Sequence, residues 1–345
     1  MRGRRLYPND RVILRELGLR DGLQLVSRWP GTAAKTEWIN RAAAAGVRHI
    51  EVGSFLPTER FPQFADIRTL VTAAAALPDI RASALTLNER AVDDALTTAV
   101  SEIVLVVSAT EAHSRANMRR SRQSAVELVG YACSKRKDHE TVERRYPTSD
   151  GAESGPVVCA AISVAFGCPF EGDVSTDTVL AAVDKCLEAG ADVIAVADTI
   201  GVAAPRQVSD LCRALLPRLG ATPLVVHLHD TRGTGIANAH GALEAGVRIL
   251  DGTIGGLGGC PFAPGATGNV VFEDLVYLCE RCGFPTGINL ELLITIRSIL
   301  ERDMAGEPLF GALARAGIPK MLSWSASRLP EDRGARGKRE AASGR

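Results

Sequence analysis

Two histidines in one short apolar run have the types and spacing that first point to chemistry. They are His227 and His229, within the run LVVHLHD at 224–230. Because successive side chains of a β-strand point to opposite faces, the two imidazoles would share one face of the strand. Imidazoles placed in this way can bind one divalent cation. The same spacing also fits a pair of hydrogen-bonded histidines without a metal.

Charged residues stand at or near the ends of three other apolar runs. Arg20 and Asp21 end the first run, Glu51 lies in the second and Asp198 ends the sixth. A carboxylate there can supply an oxygen ligand, and the forked donors of Arg20 can hold an oxyanion or a carboxylate. The alternatives are a buried Arg–Asp pair and helix capping. Together with the histidines these groups favour a site, because burying them unpaired is costly.

A glycine-rich segment, GGLGGCPFAPGATGN, follows the eighth apolar run. We expect a mobile loop that closes over a substrate, with backbone N–H groups near Gly256, Gly258 and Gly259 available for binding. The loop carries one thiol, Cys260, and ends in Asn269. Cys260 could equally be a small packing residue, and Asn269 could be a plain helix N-cap.

The elements that must position these residues alternate between β-branched runs and helical patterns. The runs cover residues 11–17, 47–53, 80–87, 102–108, 157–165, 192–197, 224–229 and 248–254. Helical patterns cover 32–45, 176–189, 205–219 and 233–245, each followed or ended by glycine, namely Gly46, Gly190, Gly220 and Gly246. Alternation of this kind predicts a parallel sheet, and eight units favour an α/β fold with a single closed (β/α)8 TIM barrel. Extra C-terminal helices, over 269–282 and 289–303, would cover the barrel.

The domain organisation is read from changes in polarity along the chain. We expect one barrel domain over residues 11–325, preceded by an N-terminal extension at 1–10. A polar stretch of mixed charge at 134–155 predicts a surface insertion or a helix extension followed by a loop. The polar, arginine-enriched tail at 326–345 is expected to be disordered.

Composition excludes several classes of partner. The chain has 40 basic and 40 acidic residues, which gives no electrostatic case for nucleic acid or an anionic membrane as the main partner. The 8 cysteines lack the spacing of a disulfide framework, and the CxxC of Cys279 and Cys282 lacks the second pair of a zinc ribbon. Without a signal-peptide pattern or an apolar stretch of about 18 residues, the expected compartment is the cytoplasm.

The chain resembles the hydroxymethylglutaryl-CoA lyase family, part of a wider group of metal-dependent barrel lyases and Claisen-type synthases. The matching blocks are ELGLRDGLQ, IEVGSF, GCPFEG, ADTIGVAAP, HLHDTRGTGIAN and DGTIGGLGGCPFAPGATGN. The similarity extends from residue 11 to about residue 319. The glycine-rich block is the most specific, because the synthases share the two-histidine strand but lack the cysteine loop.

The resemblance implies a divalent-metal site formed by Asp21, His227, His229 and Asn269. Oxygen and imidazole ligands suit Mg²⁺ or Mn²⁺, and imidazole also admits Zn²⁺ or Co²⁺. The resemblance further implies that the enzyme acts on an acyl-CoA thioester and forms a homodimer. The implied place in metabolism is leucine degradation.

The remaining site residues also follow from the resemblance. It implies that Arg20 stabilises an enolate and that Cys260 is the general acid. Glu51 and Asp198 match acidic residues that orient Arg20 and the metal ligands and assist proton transfer. The residues that match polar positions of the substrate pocket are Gln24, Ser54 and Asn117.

The implied reaction is retro-Claisen cleavage of a 3-hydroxyacyl-CoA, and the prototype, 3-hydroxy-3-methylglutaryl-CoA, would yield acetyl-CoA and acetoacetate. The base that removes the hydroxyl proton is left open between His227, Asp21 and metal-held water. Leu25-Val26-Ser27 replaces a polar family segment, and His113 replaces an aromatic residue. These departures raise a related 3-hydroxy-3-alkylglutaryl-CoA or a citramalyl-type thioester as alternatives.

Two other classes of protein are alternatives to the lyase. One is a condensing acyltransferase of the same superfamily, and the other is a non-catalytic binding protein on the same barrel. Cys260 argues against the synthase, which has no use for a thiol in this loop. The complete set of metal and acid residues argues against a protein without catalysis.

Overall fold

The computed structural model describes residues 2–140, 155–259 and 268–320, and it has a closed barrel of eight parallel strands. The strands follow one another around the barrel in chain order. Their bounds are β1 Ile13–Glu16, β2 His49–Ser54, β3 Arg81–Thr86, β4 Glu102–Ser108, β5 Val157–Ser163, β6 Val193–Asp198, β7 Leu224–Leu228 and β8 Ile249–Gly252. Each predicted run overlaps one strand, so the predicted (β/α)8 barrel is confirmed.

Helices cover the outer face of the strands. Their bounds are α1 Arg2–Leu6, α2 Thr32–Ala44, α3 Ile67–Ala75, α4 Glu89–Leu96, α5 Glu111–Met118, α6 Arg122–Glu140, α7 Thr176–Glu188, α8 Pro205–Leu219, α9 Gly235–Glu244, α10 Phe272–Arg281, α11 Leu290–Ile294, α12 Arg297–Asp303 and α13 Ala312–Ala316. The helical pattern at 289–303 is therefore two short helices rather than one. None of the described helices is long and apolar enough to cross a membrane.

Glycines stop the helices where the sequence predicted. Gly46 and Gly246 follow α2 and α9 with φ of 98° and 105°, in the left-handed region that other residues rarely adopt. A side chain at Gly46 would meet the carbonyl oxygen of Gly287 at 2.3 Å. The position therefore needs glycine both for its backbone angle and for its space.

Apolar side chains fill the barrel lumen, and the N-terminal segment closes its floor. Ile13, Val104, Val225 and Ile249 pack together inside the strands, and Tyr7 joins them with no exposed surface. Tyr7 follows α1 directly, and α1 lies against the amino ends of the strands. The extension predicted at 1–10 is thus packed against the barrel, as a plug at the end opposite to the carboxyl ends of the strands.

The structure describes only part of the two irregular stretches of the sequence. Helix α6 runs to Glu140, so the beginning of the stretch at 134–155 continues a helix, as one of the predicted alternatives required. Residues 141–154 and the tail at 326–345 lie outside the described residues. The predicted boundaries of the insertion and of the tail therefore stay predictions.

His49 on β2 is a buried histidine that the fold keeps neutral. Its ring stacks on Tyr7 with centroids 4.8 Å apart, and burial, Arg15 and Arg81 lower its pKa to about 3. In the unfolded chain the histidine ring takes up a proton near pH 6.5, whereas in the folded protein it stays neutral. Below pH 6.5 the unfolded state therefore binds more protons than the folded state. The free energy of unfolding must therefore fall as the pH drops from about 6.5 toward 3.

We predict that His49→Gln makes this loss less steep, by up to about 1.4 kcal/mol per pH unit. Urea unfolding of wild type and variant between pH 7 and pH 4.5 measures the difference. His240→Gln, on the exposed face of α9, is the matched control and should follow wild type. Parallel slopes for wild type and His49→Gln would contradict the assignment.

Candidate active site

Three potential metal ligands converge at the carboxyl-terminal rim of the barrel. His227 lies on β7, His229 follows that strand directly, and Asp21 lies just after β1. The Nε2 atoms of the two imidazoles are 3.1 Å apart. Asp21 Oδ2 lies 3.8 Å from Nε2 of His227 and 3.7 Å from Nε2 of His229. The two imidazoles thus share a face, as the strand alternation predicted.

Asp21 reaches the histidines because β1 continues into a single π-helical turn, Gly18–Gly22. The N–H of Gly22 donates to the carbonyl of Leu17 at 3.2 Å, which widens the turn by one residue. Isolated π-turns of this kind often occur at functional sites. Here the turn carries both Arg20 and Asp21 over the mouth of the barrel.

Asn269 completes the cluster from the far side of the glycine-rich segment. It forms a β-bridge with His229, and the N–H of Val270 donates to Leu228 at 3.1 Å. Its amide Nδ2 donates to Asp21 Oδ2 at 2.6 Å. Helix α10 begins only at Phe272, so the alternative of a plain N-cap is wrong for Asn269.

These four side chains fit a divalent cation. Ligands at neighbouring corners of an octahedron, each about 2.1 Å from the ion, lie roughly 3 Å apart, which matches the spacing of the two imidazole nitrogens. Among the described residues, Oδ1 of Asn269 is buried without a hydrogen-bond partner. Rotation of the amide by 180° would place that oxygen at the position facing Asp21, available as a ligand for a cation, and would give up the hydrogen bond from Nδ2 to the carbonyl of Leu257.

The charge of the lumen also suits a cation. Six buried charged side chains line or underlie the cavity, each with 13% or less of its side chain exposed, and the exposed Arg60 also lines it. Four carboxylates against two guanidinium groups leave an excess of two negative charges when all are ionised. The six residues are Asp21, Glu51, Glu102, Asp251, Arg15 and Arg20.

Arg20 is held between two carboxylates. Its Nε donates to Glu51 at 2.7 Å, and its Nη1 donates to Asp21 at 2.6 Å. Burial by itself would raise the pKa of Asp21, but Arg20 and the imidazoles outweigh it and hold that pKa well below its usual range. Burial likewise raises the pKa of Glu51, against the opposing effect of Arg20. Asp21 is therefore an anion at neutral pH, and Glu51 orients the guanidinium.

A cavity of about 440 Å³ opens beside this cluster. Arg20, Gln24 and Gly259 line it on the side of β1, and Asn117 lines it on the side of β4. These predicted pocket residues are thus brought together around one space. Leu25, from the segment that departs from the family, is also part of the wall.

Two predicted glycines make room for Asn269. A side chain on Gly258 would meet Nδ2 of Asn269 at 2.6 Å, and one on Gly256 would meet its carbonyl oxygen at 3.3 Å. Both glycines also have positive φ, 109° and 66°. Because neither glycine has a side chain, Asn269 can reach Asp21.

Other predicted residues form their hydrogen bonds outside the cluster. Asp198 accepts hydrogen bonds from the N–H groups of Val202 and Ala203, at 2.9 and 3.0 Å, so in the described structure it fixes the loop after β6. The hydroxyl of Ser54 is buried and donates to the carbonyl of Leu85 at 3.2 Å. Cys260 lies outside the described residues.

Sequence reasoning missed Arg15 and Asp251, which lie directly beneath the potential metal ligands. Asp251 Oδ2 is 3.2 Å from Nδ1 of His227, and Arg15 holds the same carboxylate through two nitrogens. The signal that could have found them is a charged residue inside an otherwise apolar strand, because a barrel can bury such a residue only together with a partner.

The comparisons with known proteins agree with this geometry. The HMGL-like family model matches residues 11–300. A hydroxymethylglutaryl-CoA lyase of Bacillus subtilis is 34% identical over 303 residues, which cover 88% of this chain and 96% of the relative. An (R)-citramalyl-CoA lyase of Chloroflexus aurantiacus is 38% identical over 327 residues, 91% of this chain and 98% of the relative.

A solved structure extends the likeness to three dimensions. It is an HMG-CoA lyase from Acinetobacter baumannii in complex with coenzyme A and 3-methylmalate. The two chains superpose with a TM-score of 0.81 and 33% identity, over 92% of this chain and 98% of that one. The barrel, the cluster at its rim and the matched relatives together show that this chain belongs to the HMGL-like family and is an oxo-acid lyase that cleaves a carbon–carbon bond.

Proposed function

We propose that the chain cleaves 3-hydroxy-3-methylglutaryl-CoA to acetyl-CoA and acetoacetate by a divalent-metal-dependent retro-Claisen reaction. The observation that carries the proposal is the convergence of Asp21, His227, His229 and Asn269 beside Arg20 at one rim of the barrel. The structure with coenzyme A and 3-methylmalate supports a CoA thioester as the substrate class. A homodimer is proposed from the family resemblance.

The metal would be held by Asp21, His227, His229 and Asn269. A hard oxygen donor set with two imidazoles favours Mg²⁺ or Mn²⁺, with Zn²⁺ or Co²⁺ as further candidates. When bound, a divalent cation supplies Lewis-acid activation that lowers the pKa of the substrate hydroxyl. Because Asp21 has a pKa well below its usual range, it is a poor base near neutral pH and serves as a ligand.

Arg20 is suited to stabilise the enolate. Cleavage of the C2–C3 bond sends its electron pair into the thioester carbonyl, which becomes an oxyanion. Arg20 uses Nε and Nη1 on Glu51 and Asp21, and none of the described hydrogen bonds uses its Nη2. A pre-positioned donor of this kind acts where negative charge develops and needs no reorganisation during the reaction.

Cys260 is the proposed proton donor to the acetyl carbanion. The neighbouring residue Gly259 lines the cavity, so the chain reaches the cavity wall directly before the thiol. An ordinary cysteine pKa of about 8.5 leaves the thiol protonated near neutral pH. Asp198 is proposed to assist only indirectly, by holding the loop after β6.

Citramalyl-CoA is the second candidate substrate. The relative with 38% identity carries that name, and Leu25 at the cavity wall departs from the family segment. The same bond cleavage would then give acetyl-CoA and pyruvate. The chemistry at Arg20 and at the metal ligands is the same for both thioesters.

We predict that the enzyme with Mn²⁺ or Mg²⁺ releases acetyl-CoA from at least one of these two thioesters. Chromatography of the acyl-CoA products, with separate assays for acetoacetate and pyruvate, identifies the acyl group. Treatment with a chelator should abolish cleavage, and added Mn²⁺ should restore it. Release of acetyl-CoA from neither thioester, by protein that holds its metal, would contradict both candidates.

His229→Ala should raise the Kd for Mn²⁺ by more than about 100-fold, because losing a ligand costs more than the 10- to 100-fold typical of an outer-shell partner. Elemental analysis after dialysis and titration of free Mn²⁺ measure the effect. His240→Ala, on the exposed side of α9, is the control. Metal content equal to wild type would remove His229 from the ligand set.

Cys260→Ser should keep its metal and lose about 100- to 10,000-fold in kcat, the range typical of a missing general acid. Cys282→Ser, at an exposed thiol, should retain wild-type kcat. Steady-state kinetics and elemental analysis on the same preparations separate loss of chemistry from loss of metal. An unchanged kcat on the cleaved thioester would exclude the thiol from the reaction.

A further inference from the structure

His227 uses both of its ring nitrogens. Nε2 faces His229 and Asp21, and Nδ1 lies 3.2 Å from Oδ2 of Asp251. Asp251 lies on β8, next to His227 in the parallel register that pairs Val226 with Leu250. A carboxylate accepts but cannot donate, so the hydrogen bond places a proton on Nδ1. The neutral ring then has its lone pair on Nε2, which is the atom that faces the cluster.

The carboxylate of Asp251 is itself locked in one orientation. Arg15 donates to it through Nε at 2.6 Å and through Nη2 at 2.9 Å, in the two-pronged geometry that fixes both oxygens. Arg15 and Asp251 are direct partners in the register of β1 and β8. Both are at least 95% buried, so neither side chain can rotate into solvent.

Arg15 is held in turn from the floor of the barrel. Its Nη1 donates to Glu102 at 3.0 Å and to the hydroxyl of Tyr7 at 3.2 Å, and Tyr7 donates to the other oxygen of Glu102. The chain of contacts therefore runs from the N-terminal segment, through β4, β1 and β8, to β7. We call these side chains the lumen relay, and its members are Tyr7, Glu102, Arg15, Asp251 and His227.

We propose that Asp251 is a positioning residue for the metal site, and that Arg15, Glu102 and Tyr7 hold it in place for that purpose. The inference rests on the proposed metal-dependent function. On this proposal, the buried charges beneath the site orient Nε2 of His227. If they formed only a structural ion pair, their removal would leave the affinity for metal unchanged. The N-terminal plug thereby becomes part of the machinery that presents a ligand at the opposite end of the barrel.

The primary test is Asp251→Asn, which keeps the size of the side chain and removes its charge. The Kd for Mn²⁺ alone, measured without substrate, should rise about 10- to 100-fold, as expected when the outer partner of a ligating histidine is lost. Asp66→Asn is the matched control. That carboxylate pairs with the buried Lys35 at 2.9 Å outside the lumen, so this variant should lose stability and keep its Mn²⁺ affinity.

Two further measurements keep the test decisive. Nitrogen-15 spectra of the histidine rings without metal should show His227 protonated on Nδ1 in wild type, and a mixture of tautomers in Asp251→Asn. Should that variant not fold, Arg15→Lys keeps the positive charge and loses the fork, and it should weaken Mn²⁺ binding about 3- to 10-fold, a part of the outer-shell effect.

Tyr7→Phe tests the far end of the relay. It removes one hydroxyl from Glu102 and Arg15, and it should weaken Mn²⁺ binding by a smaller factor than Asp251→Asn does. Tyr131→Phe, whose hydroxyl donates to Asp93 on the exposed surface, should leave the affinity unchanged. An effect of Tyr7→Phe no larger than that of Tyr131→Phe would remove Tyr7 from the relay.

The outcomes separate this inference from the proposed function. If the wild-type protein binds no Mn²⁺, the proposed metal site itself is wrong. A wild-type protein that binds Mn²⁺, with an affinity and a ring tautomer that Asp251→Asn leaves unchanged, overturns the positioning role alone. Weaker binding in Asp251→Asn with unaltered affinity in Asp66→Asn supports it.

Discussion

The site depends on one constraint, the excess of negative charge that the lumen holds when its four buried carboxylates are ionised. Four carboxylates and two guanidinium groups are enclosed in the lumen, and the rest of its lining is largely apolar. Buried charge of one sign is costly, so such a set persists only where a cation or a proton balances it. Burial works against the charge of Asp21, yet Arg20 and the imidazoles hold its pKa low. The barrel therefore keeps an anionic pocket ready, and a divalent cation would neutralise the excess.

Two different supports hold the two sides of this pocket. The strand side is fixed by the lumen relay below His227. The side of Asn269 is fixed by backbone contacts, because the carbonyl of Gly268 accepts from Asp230 and the N–H of Val270 reaches Leu228. Beneath the glycine-rich segment, Glu273 accepts from the N–H of Gly255 and is paired with Arg297. The C-terminal helices thus anchor the base of the segment whose next residues carry the proposed thiol.

The strands and the shared face of the two histidines could be predicted from the sequence, because they depend on local periodicity. Contacts between side chains of the first and the last strand could not, because they depend on closure of the barrel. Alternating apolar runs predict the strands, and a two-residue spacing places His227 and His229 on one face. The contact of Arg15 with Asp251 depends on the register between the first and the last strand, 236 residues apart in sequence, which no local pattern encodes. Asp198 shows a further limit, since its position at a strand end does not reveal that its carboxylate accepts hydrogen bonds from the loop that follows. The resemblance implied that Asn269 belongs with the histidines, and the β-bridge to His229 is the physical reason why it lies beside them.

The far wall of the cavity differs in charge from the wall that carries Arg20. There Nδ1 of His113 lies 3.0 Å from the hydroxyl of Ser108 and 3.4 Å from the hydroxyl of Ser163. The hydroxyl of Ser108 also accepts from the N–H of Thr110, so the ring is held within a network of neutral groups. Burial lowers the pKa of His113 to about 4, which keeps the ring neutral. This wall offers hydrogen bonds without charge, whereas the opposite wall supplies Arg20 and the ligands. Relatives named for two different acyl-CoA substrates are similar to this chain over 88% and 91% of its length, so the likeness extends over both walls of the cavity.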